Sequence, residues 1–293
     1  MNLTVGVTGS TGFIGRKIVE ILVKKGVKMI ALQRSENHSQ TIPSRRFDLS
    51  NLRTINAELL DEIDVVIHTA ALVHDSSATY PEHEALNVDA TSKLLSVSKK
   101  CGVKKFIFIS TVGVYGVSSD KSNISLETPV NPQTAYAKAK YQSELELLAN
   151  ASRELRVSIL RLPLVTGENA PGNFGFLEKI AKTSLPLPFG SVTNKRSVIS
   201  ADTVANLIFE ATQSLAALEG LHLLAESPPV STKELIIGLR KNYGKSSNLI
   251  PVPKIMMKLA LNAIGKRKIY EQLYEDLVFV TSVDLSNFIK SNK

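Results

Sequence analysis

"LTVGVTGSTGFIG" occupies residues 3–15, and its reading decides the fold. "LTVGV" (3–7) is a short apolar run that predicts a buried strand. Gly9, Gly12 and Gly15 follow at once in a G-x-x-G-x-x-G spacing. Beyond them Ile14, Ile18, Ile21 and Leu22 recur at helical spacing, and Gly26 is placed to end that helix. Glycine permits a tight turn and lets backbone approach a pyrophosphate, and the N-terminus of a helix supplies N–H groups for the anion. Strand, glycine turn and helix together predict a phosphate loop, with Gly9, Gly12, Phe13, Ile14 and Gly15 as cofactor contacts. The spacing differs from the commoner G-x-G-x-x-G.

The rest of the first half repeats the alternation. "KMIAL" (28–32), "DVVIHTA" (64–70), "KKFIFIS" (104–110) and "RVSILR" (156–161) read as strands. Leu86, Ala90, Leu94 and Val97 mark one face of a helix ending near Gly102, and Tyr136 to Asn150 reads as another. Near-continuous apolar strands alternating with helices predict an α/β fold, a Rossmann-type doubly wound parallel sheet. After Pro163 the pattern changes to loops rich in Gly, Pro and Asn, such as "TGENAPGNFG" and "SLPLPFGS". "SPPVSTKEL" reads as a loop entering a helix capped near Ser231 or Thr232. The expected division is a dinucleotide-binding domain over 1–162 and a smaller substrate lobe over 163–293, interleaved with the last strands of the sheet.

Position 34 bears on the choice of dinucleotide. A carboxylate about 20 residues past the glycines would bind the ribose hydroxyls of NAD. The sequence there is "LQRSEN", with no carboxylate until Glu36. Arg34 suits a 2′-phosphate, so the expectation is NADP, with NAD as the alternative.

Composition excludes several classes. The 293 residues carry a net charge of +8 and one cysteine, Cys101. An internal disulfide is ruled out, and a reducing cytoplasm is expected. No run of 18 apolar residues and no leader pattern is found, so neither a membrane span nor a signal peptide is expected. The lysines are scattered and no nucleic-acid module is recognisable. His38, His74 and His83 lack metal-ligand spacing, so no metal is expected, and His68 reads as a packed histidine of a strand. "KIMMKLALNAIGKRK" (254–268) reads as a lobe helix with a solvated basic face, contact with a membrane surface being the alternative.

"YAKAK" (136–140) places a phenol and an ammonium one helical turn apart. A lysine beside a tyrosine can lower the phenol pKa and let it move protons at neutral pH. With the glycine turn, Tyr136 and Lys140 resemble the extended short-chain dehydrogenase/reductases, and more narrowly the sugar-nucleotide epimerases, dehydratases and reductases. The resemblance covers nearly the whole chain. It implies adenine contacts from Asp48 and Leu49 in "FDLSN", cofactor contacts from Ala70 and Ala71 in "VIHTAA", and the family asparagine at Asn87 in "LNVDAT". "FISTVGVYG" would supply the catalytic hydroxyl: Thr111, four residues before Tyr115 and 25 before Tyr136, with Ser110 as a possible second. "GNF" and "NKRSVISADTVANLI" would hold the substrate diphosphate through Asn173 and Arg196. Tyr136 and Lys140 would also touch the cofactor.

Departures matter too. The dehydratases carry Asp-Glu after the threonine, where this chain has Val112 and Gly113, so elimination of water is not expected. "RLPLVTG" puts Pro163 and Leu164 where epimerases have a polar asparagine; the resemblance still implies a cofactor contact at Pro163. A second phosphate-binding arginine is missing, with Arg267 a weak candidate. The resemblance thus implies a homodimer that acts at C4 of a nucleotide-diphosphate sugar by a Thr111–Tyr136–Lys140 relay. The first expectation is an NADP-dependent 4-ketoreductase of surface polysaccharide synthesis. The alternatives are a 4-epimerase with bound NAD, a non-catalytic dinucleotide sensor, and a reductase of simple carbonyls.

Overall fold

The structure is a computed structural model, and it describes residues 3–35, 42–73, 79–116 and 123–286. His38 and His74 lie outside the described residues. The first half comprises β1 (Val5–Thr8), α1 (Phe13–Lys24), β2 (Met29–Gln33), β3 (Ser44–Arg46) and β4 (Val65–His68), then α2 (Tyr80–His83), α3 (Ala90–Lys100), β5 (Lys105–Thr111) and α4 (Ala135–Ala149). It continues through β6 (Arg156–Leu162), β7 (Leu164–Thr166), α5 (Gly172–Ala181), β8 (Val198–Ser200), α6 (Ala201–Gln213) and β9 (Gly220–Leu223). Three helices follow: α7 (Thr232–Asn242), α8 (Lys254–Ala263) and α9 (Arg267–Tyr274).

Seven strands form one sheet in the order β3-β2-β1-β4-β5-β6-β9, every pair parallel. Successive side chains of a strand face opposite sides, and this sheet is covered on both. Val65 and Ile67, Ile107 and Ile109, and Leu160 and Leu162 pack with α1 and α6. Val66, Phe106, Phe108, Val157 and Ile159 face the other way, onto α3 and α4. That is why the strands read as continuous apolar runs. The order reverses at β1, with β2 on one side and β4 on the other, and such a switch point opens a crevice beyond the strand ends.

Glycine ends two of the helices as its sequence positions suggest: Gly26 and Gly102 both have φ of +71°, just past α1 and α3. Ser231 caps α7 and shares a capping box with Glu234. Glu84–Asp89, between α2 and α3, forms a π-helical turn that the helical spacing does not reveal.

Helices α5, α7, α8 and α9 surround a separate apolar cluster that includes Leu177, Ile236, Tyr270, Leu273 and Tyr274. Arg240 of α7 is fully buried beside it. Its guanidinium donates to the carbonyls of Thr183 (3.3 Å), Leu185 (2.5 Å), Ser246 (3.3 Å), Ser247 (2.8 Å) and Asn248 (3.1 Å).

Candidate active site

The glycine turn closes on itself by a bond from Gly12 N to Gly9 O of 2.9 Å, and α1 starts with Arg16 N to Gly12 O at 2.8 Å. Gly9 has φ of +66°, and a Cβ there would lie 2.7 Å from Ala70 N. A Cβ on Gly15 would lie 2.0 Å from Gly9 O. Only glycine lets the turn fold this tightly between β4 and the helix. The helix start has no side-chain cap and no acidic residue in its first turn. Its N–H groups and dipole therefore remain available to an anion.

This helix end lines a cavity of about 920 Å³, which Gly9, Gly12, Phe13, Ile14 and Gly15 all border. Gln33, Arg34, Asp48 and Leu49 line it as well. Gln33 Oε1 accepts from Ser10 Oγ at 3.2 Å. The Ser50 hydroxyl (2.8 Å) and N–H (3.0 Å) hold the Asp48 carboxyl below its usual pKa, with Arg34 and Arg46 adding to the effect. Arg34 thus lies in the field of a carboxylate as well as at the cavity wall.

Ala70 and Ala71, just past β4, form another part of the wall. Asn87 does not line the cavity. Its Oδ1 accepts from Leu72 N at 2.7 Å, its Nδ2 donates to Leu72 O at 3.1 Å, and Nδ2 also meets His83 Nδ1 at 3.1 Å. It fixes the segment that carries the two alanines. His68 supports the same segment from below. Thr91 Oγ1 donates to Asn87 O (2.6 Å), so it accepts from His68 Nε2 (3.0 Å), and Thr8 Oγ1 donates to His68 Nδ1 (2.7 Å). Burial, with some help from Lys140, pushes the His68 pKa down to about 3 and keeps the ring neutral.

The candidate reactive groups come from β5 and α4. Thr134 caps α4, its Oγ1 accepting from Ala137 N at 3.1 Å, so Tyr136 and Lys140 project from the first turns. Both line the cavity, as do Ser110 and Thr111. Thr111 Oγ1 accepts from Gly113 N at 3.0 Å, which leaves its own O–H to donate. Ser110 Oγ instead donates to Glu144. This difference favours Thr111 over Ser110 as the substrate-facing hydroxyl.

Lys140 Nζ donates to Ile109 O at 2.8 Å and lies 4.2 Å from the Phe108 ring centroid. It is 6.0 Å from the Tyr136 ring centroid. Burial brings the Lys140 pKa down to about 7, against the pull of Glu144. The expected depression of the Tyr136 phenol is not present in the protein alone: burial pushes it above its ordinary value. At this separation desolvation prevails.

Behind Lys140 lies a buried ion pair that sequence reasoning missed. Arg161 donates to Glu144 through Nη2 (2.6 Å) and Nε (3.1 and 3.2 Å), and through Nη1 to Tyr115 OH (2.7 Å). The available signal was Glu144, one helical turn beyond Lys140. Pro163 and Asn173 line the cavity, Asn173 from the first turn of α5. Arg196 does not. Its Nη1 donates to the carbonyls of Glu271 (3.4 Å) and Glu275 (2.8 Å) at the end of α9, and burial lowers its pKa to about 10. Arg267 is exposed and paired with Glu271 at 2.8 Å. Among the described residues no three His, Cys, Asp or Glu side chains are grouped to hold a metal.

A glycine turn at the sheet's switch point, sharing one cavity with a Tyr-x-x-x-Lys helix, defines the extended short-chain dehydrogenase/reductase class. Residues 5–222 match the NAD dependent epimerase/dehydratase family, and the chain belongs to it. It is an enzyme of that type. It is 31% identical over 290 residues to a UDP-glucose 4-epimerase of Vibrio cholerae, covering 96% of this chain and 87% of that one. It is 24% identical over 269 residues to the N-acetyl-alpha-D-glucosaminyl-diphospho-ditrans,octacis-undecaprenol 4-epimerase of Escherichia coli O157:H7, covering 90% and 78%. The solved structure of MoeE5 in complex with UDP-glucose and NAD superposes with a TM-score of 0.70 at 25% identity, over 85% of each chain.

Proposed function

We propose that the protein is a 4-epimerase of a nucleotide-diphosphate sugar that holds NAD through its catalytic cycle. One observation carries this reading: Thr111, Tyr136 and Lys140 share a single cavity with the glycine turn, so a proton relay and a dinucleotide site face the same space. The similarity to the Vibrio cholerae enzyme along almost the whole chain supports it.

The cavity suits the cofactor: uncapped N–H groups for a pyrophosphate at the glycines, and Ala70 and Ala71 as small wall residues. Once bound, the nicotinamide supplies hydride transfer at C4. Everything else falls to the chain. Tyr136 carries the proton of the C4 hydroxyl. Thr111 donates to the same oxygen, its Oγ1 fixed by Gly113. Lys140, held by Ile109 O and backed by Glu144, supplies positive charge beside the phenol and a donor for the ribose. The N-terminus of α5, with Asn173, offers N–H groups to the sugar diphosphate. Arg196 would have to leave the α9 carbonyls to join them.

Residues 1–162 would hold the dinucleotide and 163–293 the sugar. We expect a cytoplasmic homodimer. The second reading is an NADP-dependent 4-ketoreductase of surface polysaccharide synthesis, favoured by Arg34 at the cavity wall. One experiment separates the two: identify the dinucleotide released from purified protein, then incubate the protein with UDP-glucose or UDP-N-acetylglucosamine and no added cofactor. Released NAD and formation of the C4 epimer support the epimerase. Protein free of nucleotide that does not epimerise these sugars, and that turns over only a 4-keto-sugar nucleotide on added NADPH, overturns it.

A further inference from the structure

Helix α8 has no buried residue. Only Met257 and Leu261, four apart, pack on the cluster around Tyr270, and Lys258 lies 5.8 Å from the Tyr270 ring centroid. The lysines are solvated, as expected from sequence, but the side opposite Met257 and Leu261 is apolar. Ile255, Met256 and Leu259 are 68%, 58% and 65% exposed, and Ile264, just past the helix, is 63% exposed. At about 100° per residue, Ile255, Leu259, Ala263, Met256 and Ala260 fill one continuous arc of about 140°. Single exposed apolar residues are ordinary, but a continuous patch marks a contact surface.

Charge identifies the partner. From Leu235 to Tyr270 the chain has no Asp or Glu, yet it carries Lys241, Lys245, Lys254, Lys258, Lys266, Arg267 and Lys268, all exposed. Within this set Arg267 pairs with Glu271. An apolar arc on a segment with these cations and no carboxylate is complementary to lipid acyl chains beneath anionic headgroups. It is poorly matched to a second copy of itself, because a two-fold contact would bring two segments of like charge together. Nor does the helix cross a membrane: ten residues are too short, and no described helix is long and apolar enough.

We propose that α8 docks the protein on an anionic bilayer surface, with Ile255, Met256, Leu259 and Ile264 entering the headgroup boundary and the lysines of the segment meeting lipid phosphates. The helix lies on the membrane and leaves the cavity of the candidate site free. None of these residues lines that cavity.

The test is co-sedimentation of the full chain with vesicles of phosphatidylcholine alone or with one quarter phosphatidylglycerol, at 0.1 and 0.5 M salt. The expected result is binding to the phosphatidylglycerol vesicles, weakened by salt, and little binding to phosphatidylcholine. The double variant Ile255→Ser, Leu259→Ser should bind at least ~10-fold more weakly. Its circular dichroism, dinucleotide affinity and turnover of a water-soluble sugar nucleotide should match wild type. Absence of binding to the anionic vesicles overturns the proposal, as does binding that the double variant retains. Self-association in light scattering that the same variant abolishes would assign the patch to a second copy instead.

Discussion

Replacing Gly15 by alanine tests the phosphate loop more sharply than replacing any charged residue. The new methyl carbon would sit 2.0 Å from Gly9 O, 2.8 Å from Gly9 C and 3.1 Å from Ser10 Cα. Ordinary carbon contacts lie near 3.5 Å, so helix and turn must separate by more than ~1 Å. The movement falls on the N–H groups that face the cavity, and a misplacement of ~1 Å at a binding site costs about 10²-fold. Gly15→Ala should therefore weaken dinucleotide binding about 10²-fold, or ~3 kcal/mol, and strain should cost ~1–3 kcal/mol of stability. Gly12→Ala meets only Gly9 O, at 3.2 Å, and should do much less. Gly238, inside α7, has nothing within 4 Å of its Cβ position, so Gly238→Ala should stabilise by ~0.5–1 kcal/mol and leave binding alone. Calorimetric titration of nucleotide-free protein well below its melting temperature, with thermal melts of each variant, reads both quantities. A Gly15→Ala protein that binds NAD within threefold of wild type would refute the reasoning, as would equal losses in Gly12→Ala and Gly15→Ala.

Tyr136→Phe should keep dinucleotide affinity and lose about 10²-fold or more in turnover, since only the proton carrier goes; turnover within a few-fold of wild type in a coupled assay would remove Tyr136 from the relay. Burial holds His68 neutral to about pH 3, below its ordinary 6.5, so the unfolded chain binds the extra proton between those values. Its contribution is therefore intact above pH 6.5 and is lost on acidification, at up to ~1 kcal/mol per pH unit; urea melts of His68→Gln should show a shallower acid slope than wild type, and identical slopes would contradict the assignment. If Arg34 meets a 2′-phosphate, Arg34→Asp should cost ~2–4 kcal/mol of NADP affinity and spare NAD; equal small changes for both dinucleotides would make Arg34 a bystander. Light scattering at micromolar concentration should show a dimer built on the helices at 85–101 and 136–150, where Leu145 and Leu148 of α4 are exposed; a monomer counts against it.

What the sequence made legible was written in local rules. The glycine turn is a backbone requirement, and β1, β4, β5 and β6 are apolar because both faces of the sheet are covered. Even there, β2 and β5 run one residue further than their apolar patterns, to Gln33 and Thr111. β3 could not be read. "SRR" (44–46) is polar and three residues long, and it becomes a strand only by pairing with Ala31–Gln33 at the sheet edge. The two residues placed away from the cavity, Asn87 and Arg196, share a cause. Each has a polar side chain drawn to backbone groups of a segment distant in sequence, and nothing near either residue announces those groups. The Glu144–Arg161 pair was hidden for a related reason, since its partners come from α4 and β6 and meet only in the folded core.

Arg240 has a consequence for how this protein can change over generations. All five of its bonds go to main-chain oxygens, in the segments around 183–185 and 246–248. Every amino acid offers the same carbonyl, so the clamp constrains the path of those loops and ignores what they carry. Their side chains are free to drift while the arginine holds the course. Arg240 itself has no such freedom: lysine lacks the planar fork that reaches two loops at once. Among descendants of this gene, variation should gather on the loops and fall away at the one residue that grips them.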